Sequence, residues 1–441
     1  MGTAITLDVG GLTLTYNKNH VGWDHGMLFQ ERDRQRLRSD QINYEWFAQH
    51  QEDPGPMEMA FSRLLRTVVP RIELLGFTLD FARTEYQRAV EKWTEDFQAI
   101  PDDGDAPVPD LMTFDDFCSF ASEHAIEDLD SEFVASDGAE SEAQRHGRFH
   151  GDARLNRLPF FRSADSNAYS ERSYFGGLIE VMHPYSLLRI LALNEKNLDS
   201  AVVWQYGPLV EGGWARMDEF FPEARRAQTF LIATEGSSDV HIIKHALSLL
   251  KPEIVDFFRF IDVNESHPFS GAGNLLKFAE GLVKIDVHNQ VVFVFDNDAE
   301  GRYANQRLAR LRLPQNMRAM LLPDLPEFRS FSAVGPEGPV TTDINGRAAG
   351  VECYLDLAFE EASPPTVRWT TYKVEIGAYQ GALEHKERYT KRFMKQRPES
   401  LTSGRYDSRK LGVVLEALVT QCSAMRAEIE AAEDAFEVER D

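Results

Sequence analysis

TFLIATEG at residues 229–236 and NQVVFVFDNDAEG at 289–301 decide how this chain is read. Each is a short, wholly apolar run that ends abruptly in acids, the pattern of a strand buried on both faces. Between them lie a helical stretch, SSDVHIIKHALSLL (237–250), a second strand-like run, VDFFRFIDV (255–263), and a second helical stretch, GAGNLLKFAEGLVK (271–284). Beyond them, AEGRYANQRLARLRL (299–313) reads as a helix and NMRAMLL (316–322) as a fourth strand. Strands alternating with helices of this length predict βαβ units and a parallel sheet.

In such a sheet, ligands bind beyond the C-terminal ends of the strands. The first strand delivers Glu235 there and the third delivers Asp296 and Asp298. Three carboxylates that close repel one another unless a cation neutralises them. Hard oxygen donors suit Mg2+ or Mn2+, which could stabilise charge in a phosphoryl displacement. Glu235, on a different strand, is placed to act as general acid or base. The ordinary use of Asp298, Ser237 and Asp239 is helix capping. Both motifs together, in this order, favour a metal site.

TEG after one strand and DNDAEG after another resemble the Toprim domain, shared by topoisomerases, bacterial primases and OLD-like nucleases. The resemblance covers residues 228–325. It implies Glu235 as catalytic acid/base, Asp296 and Asp298 as Mg2+ ligands and Glu300 as a weaker ligand. Asp262, ending the second strand, and Glu352, in VECYLDL, are possible accessory acids, the latter as late acids are in OLD-like nucleases. A topoisomerase would need a further large domain with a nucleophilic tyrosine, and a primase a zinc ribbon. Only Cys118, Cys353 and Cys422 are present, scattered and without a CxxC pair. What remains is a nuclease.

The N-terminal part opens with TAITLDVGGLTLTY (3–16), which alternates around Gly10-Gly11 as a β-hairpin does. From Glu58 to Phe97, Met59, Phe61, Leu64, Leu65, Val68, Leu74, Leu75 and Leu79 recur at helical spacing, predicting two or three helices. Together, GGLTLTYNKNHVGWDHGMLFQ and FSRLLRTVVPRIELLGFTLD resemble the HEPN/Toprim-associated N-terminal domain. That resemblance implies a helical, dimerising module, which in active HEPN proteins is a metal-independent RNase with an arginine and a histidine a few residues apart. The pair with that spacing is Arg145 and His150, in RHGRFH. His150 would be the acid/base and Arg145 the phosphate stabiliser.

The 441 residues carry a net charge of −24, unevenly spread. Residues 95–142 hold sixteen acids and no Lys or Arg, and read as a partly disordered loop with a helix near 113–126. The stretch 385–410 holds nine basic residues against three acids. Its Lys386, Arg388, Lys391, Arg392 and Lys395, interleaved with Tyr389 and Phe393, form a candidate nucleic-acid contact through phosphate pairing and base stacking. No apolar run is long enough to cross a bilayer and no secretory signal opens the chain, so the expectation is a reduced, cytoplasmic protein. His241/His245, His20/His25 and the GAGN turn are weaker candidates for metal or phosphate.

The expected architecture is therefore α+β and α/β multidomain. A HEPN-like module with a β-hairpin spans 1–225, a Toprim, Rossmann-like sheet 228–325, and a mostly helical extension 326–441. The expected activity is a Mg2+- or Mn2+-dependent endonuclease acting on DNA or RNA, plausible in anti-phage defence, as a homo-oligomer or with a partner protein. Two alternatives stand beside it. One is a metal-independent HEPN RNase with the Toprim part as sensor; the other is a non-catalytic, nucleic-acid-binding regulator.

Overall fold

The computed structural model describes residues 2–39, 42–99, 109–135, 138–159, 168–261, 271–285, 287–358 and 364–438. The chain is a mixed α/β protein with parallel and antiparallel sheets, divided into two compact units, Met1–Ala224 and Arg225–Asp441.

The first unit contains strands β1 (Ala4–Val9), β2 (Leu12–Lys18) and β3 (Arg34–Arg36), helix α1 (Tyr44–His50), strand β4 (Met59–Leu64) and helices α2 (Leu65–Leu74) and α3 (Leu79–Ala99). There follow α4 (Phe114–Ser122), α5 (Ala139–His146), α6 (Glu171–Ile179), α7 (Pro184–Leu191), strand β5 (Ala201–Gln205) and α8 (Gly207–Glu211). The expected hairpin is there: β1 and β2 pair antiparallel, and Gly10 and Gly11 take φ of 55° and 80° in the turn, as a two-residue hairpin loop requires.

The unit is not, however, a helical module with one hairpin. The hairpin is one side of a five-stranded antiparallel sheet, β2-β1-β5-β4-β3. Met59–Leu64, expected to be helical, is the strand beside β5. Its apolar residues 59 and 61 satisfy a two-residue period as well as a helical one, and Phe61 stacks between Phe29 and Trp204. The acidic segment has the helix expected near 113–126, as α4. Among its described residues, Phe114, Phe117, Phe120, Ile126 and Leu129 are buried, and Thr113 and Asp116 form a capping box that starts α4.

The second unit runs β6 (Phe230–Thr234), α9 (Ser237–Leu250), β7 (Phe258–Phe260), α10 (Ala272–Val283), β8 (Gln290–Phe295), β9 (Asn297–Asp298), α11 (Ala299–Leu308) and β10 (Met317–Leu321). It continues β11 (Phe331–Gly335), β12 (Gly338–Thr342), β13 (Ala348–Ala349), β14 (Thr366–Lys373), β15 (Ala378–Leu383), α12 (Lys386–Phe393), α13 (Pro398–Thr402) and α14 (Arg409–Val438). Strands β10-β8-β6-β7 form a wholly parallel sheet. Every residue of β8 is buried. Ala233, Val291, Phe293 and Phe295 pack with Leu275, Leu276 and Ala279 of α10 and Ala304 and Leu308 of α11 into one core. The chain reverses direction across this sheet between β6 and β8, and that is where an open α/β sheet leaves a crevice at its carboxyl edge.

The region after 325 is not mostly helical. Its first half builds a second sheet, β12-β11-β14-β15, in which β11 and β14 are parallel and the outer pairs antiparallel. TVRWTTYK is rich in β-branched and aromatic residues, which favour a pleated strand. The helices α12, α13 and α14 come only afterwards. Asp262 lies outside the described residues.

Candidate active site

Strands β6 and β8 are hydrogen-bonded neighbours, and Thr234 of one is opposite Val294 of the other. Both chains therefore leave the sheet side by side, with Glu235 following β6 and Asp296 following β8. The backbone N–H of Asp296 donates to Glu235 Oε1 at 3.0 Å. The glycine of DNDAEG is needed here for space: a β-carbon on Gly301 would stand 2.2 Å from the Asp296 carbonyl oxygen and 2.8 Å from Glu235 Oε1.

Asp298 caps α11, accepting from the Gly301 N–H at 2.8 Å. Its second oxygen accepts from the Gln380 amide of β15, while Gln380 Oε1 accepts from the Glu300 N–H at 3.0 Å. Between the two acids, Asn297 donates to Asp324 (2.7 Å) and accepts from the Gly346 N–H (2.8 Å), and β9 pairs with β13. The motif is thus gripped on both flanks. Glu300 is half-buried and its carboxylate meets Lys373 Nζ at 2.6 Å, so it sits at the rim.

Two further acids join Glu235, Asp296 and Asp298: Glu352, expected as an accessory acid, and Asp239, expected as a helix cap. Asp239, on the first turn of α9, accepts from the Gly236 N–H at 2.8 Å and is 8% exposed. Glu352, in a 3-10 turn Val351–Tyr354, is 5% exposed. The turn is tied to the motif because the Val351 N–H donates to Asp296 Oδ1 at 3.0 Å. A β-carbon at Gly350 would stand 3.3 Å from both Asp296 Oδ2 and Glu352 Oε2, so the glycine keeps open a space flanked by two carboxylate oxygens.

These groups are electrostatically frustrated. Burial, then the charge of Asp298, Asp239 and Glu300, raises the Glu235 carboxyl well above the usual range. Burial raises Asp296 likewise, followed by the charges of Asp239, Glu235, Asp298 and Glu352. Asp239 is pushed up to about 7, by burial and by Glu352. Burial also raises Asp298, against the hydrogen bonds of Gly301 and Gln380. Lys373, paired with Glu300, stands near Asp298, and Lys386 Nζ, at the start of α12, lies 3.1 Å from Glu352 Oε1. Burial works against its charge, but Glu352, Asp296 and Asp239 hold its proton above the ordinary lysine range.

Among the described residues, no three His, Cys, Asp or Glu side chains are gathered tightly enough to hold an ion as they stand. The donor set is nonetheless all carboxylate and crowded, its acids raised by burial and by one another, with a vacant wedge at Gly350. That chemistry fits a hard divalent cation.

The first unit provides a different setting for Arg145 and His150. Arg145 is on α5, and His150 is exposed on the following 3-10 turn, its ring 5.9 Å from that of His146. The nearby buried charge is a structural one, Glu171, which accepts from Arg148 Nε at 2.9 Å and from the backbone N–H groups of Arg148 and Asp130. His25 is buried against Tyr185 and Thr15, which makes it a packing residue, and His20 is exposed. His245 packs on Phe393, while its helical neighbour His241 is exposed. In the GAGN turn, the Gly271 N–H donates to the Glu235 carbonyl.

A family model, HEPN/Toprim N-terminal domain 1, matches residues 1–228, more than half of the chain. The chain belongs to the HEPN/Toprim N-terminal domain family. Its five-stranded sheet with α2–α7 is therefore the form this domain takes here, and the membership points to a nuclease-related or defence role. No curated protein and no solved structure matches the chain. Within the described residues, no helix is long and apolar enough to cross a membrane.

Proposed function

We propose that the HEPN/Toprim chain is a Mg2+- or Mn2+-dependent endonuclease of the Toprim type, hydrolysing DNA or RNA phosphodiesters in anti-phage defence. The observation that carries this reading is the crowd of buried, mutually repelling carboxylates where β6 and β8 leave the parallel sheet. Structure alone gains nothing from stacking like charges, since each costs free energy to bury without a counter-ion.

Asp296, Asp298, Asp239 and Glu352 would hold the cation, with Glu300 at the rim. The bound cation supplies the positive charge that phosphoryl displacement needs. Glu235 accepts the proton of the water whose oxygen attacks phosphorus, as the P–O ester bond breaks and the leaving oxygen regains a proton. Lys386 adds charge from the protein side. Gln380 keeps Asp298 pointed inward; it is a positioning residue. The chain would work as a homo-oligomer or with a partner protein, with the N-terminal domain serving regulation or assembly.

A cleavage assay on mixed DNA and RNA substrates tests the reading. Cutting is expected with Mg2+ or Mn2+ and not with EDTA. Asp296→Asn with Asp298→Asn should lower the rate by roughly 10³-fold, the several kcal/mol such a cation supplies. Arg145→Ala with His150→Ala should leave the rate unchanged. Cutting that survives EDTA and vanishes with the Arg/His pair would place the chemistry in the N-terminal unit, and no turnover on any substrate would favour a binding role.

A further inference from the structure

Helix α12 starts at the acid cluster and leads away from it. Beyond Lys386, four cations follow at Arg388, Lys391, Arg392 and Lys395. Arg388, Lys391 and Arg392, at i, i+3 and i+4, share one face of α12, and Lys395 follows in the turn that ends it. With His385, Glu387 and Gln396 they line an open groove of about 700 Å³. Arg388, Lys391 and Lys395 are exposed. Neither Lys391 nor Lys395 forms an ion pair with a described residue, whereas Arg392 is held by Asp356 at 3.1 Å.

The opposite face is closed. Tyr389 and Phe393 are buried, Phe393 between His245 and Tyr406. This corrects the sequence expectation that these two rings stack on bases: they anchor the helix. What α12 offers to solvent is charge without aromatic surface, on a chain whose net charge of −24 repels polyanions elsewhere.

We propose that the outer face of α12 is a phosphate track. It would hold consecutive backbone phosphates of a nucleic-acid strand, without regard to base sequence, and lead that strand to the acids at Asp296. The proposal rests on the hydrolase reading for the direction of the track, and deepens it by naming what is bound beside the cut. From Lys386 to Phe393 the helix rises roughly 10 Å, room for about three phosphates at the axial rise of a nucleic-acid strand. Contacts of this kind position a strand and read no sequence.

Binding is measured on the full chain in EDTA, by fluorescence anisotropy of two labelled single strands of unrelated sequence, across a salt titration. Arg388→Gln with Lys391→Gln and Lys395→Gln should weaken both equally and flatten the plot of log affinity against log salt by about 2 units, at roughly 0.7 per lost phosphate contact. An equal charge change at the exposed Lys18, Arg36 and Arg66 should leave affinity and slope as they were. Unchanged binding in the α12 variant overturns the proposal, as does a loss confined to one sequence or an equal loss in the control. Equal competition by polyglutamate of matched length also overturns it, because the face would then take any polyanion. A protein that binds through α12 but never cuts with Mg2+ fails only the hydrolase reading. One that cuts while its α12 variant binds normally fails only the track.

Discussion

The two units bury charge in opposite ways. In the N-terminal unit several buried ionic and polar groups meet partners that suit them. Glu171 meets Arg148, Arg71 donates to the Met27 and Phe29 carbonyls, and His25 sits neutral against Tyr185. In the C-terminal unit, Glu235, Asp239, Asp296, Asp298 and Glu352 crowd together, and among the described residues two amino groups stand near them, Lys386 on Glu352 and Lys373 on Glu300 at the rim. Satisfied burial holds a fold together. Unsatisfied burial of one sign leaves a demand for positive charge, which the proposed cation would meet.

Two histidines of the first unit and one aspartate of the second respond to pH with opposite signs. Burial lowers His25 to about 4 and His183 to about 3, from an ordinary 6.5. The unfolded chain therefore binds more protons than the folded one below about 6.5, and stability is lost as pH falls from there towards 4. For His25 alone this amounts to about 3 kcal/mol. His25→Gln should flatten the fall of melting temperature over that window; an unchanged profile would remove the histidine from the explanation. In the other unit, Asp239 is raised to about 7 from 3.8. There the folded state binds more protons, so stability is present at pH 4 and lost as pH rises towards 7. Saturating Mg2+ should cancel this second slope and leave the first.

The next test concerns the grip on the motif. Gln380→Ala should raise the Mn2+ concentration for half-maximal cleavage by roughly 10–100-fold, the usual effect of losing a group that orients a metal ligand. Nucleic-acid binding in EDTA should stay constant. A change in binding with no change in metal requirement would show that Gln380 serves the strand rather than Asp298. The smallest expected effect has the opposite sign from an ordinary core substitution. Asp296→Asn removes one of the crowded charges, so the metal-free protein should gain about 0.5–2 kcal/mol in urea unfolding, as substitutions at sites built for function often do. A loss of stability instead would mean that Asp296 is chiefly a structural acceptor for Val351.

The parallel sheet was legible because its strands are unbroken apolar runs ending in acids, and its helices are long enough to show their period. Glu235, Asp296 and Asp298 followed from it, since strand ends meet wherever strands pair. Asp239 looked like a helix cap and is one; its second use depends on Glu352 approaching from 113 residues away in sequence. The four-residue spacing from Glu235, at a helix start beside a strand end, was the available signal. Gln380 carried no signal, because one amide in an alternating strand resembles any other. The strand β4 was misread because its apolar spacing suits two periods. Tyr389 and Phe393 were misread because periodicity gives a face but not its orientation.

The Gln380 amide reaches Asp298 across 82 residues of chain, and β13, Glu352 and Lys386 come from the same late stretch. The motif that resembles a portable module of about a hundred residues is here completed by its descendant segments. A fragment ending at residue 325 would keep the signature and lose the machinery. Domain transplantation from this chain, or its dissection into minimal parts, has to carry everything to the end of α12.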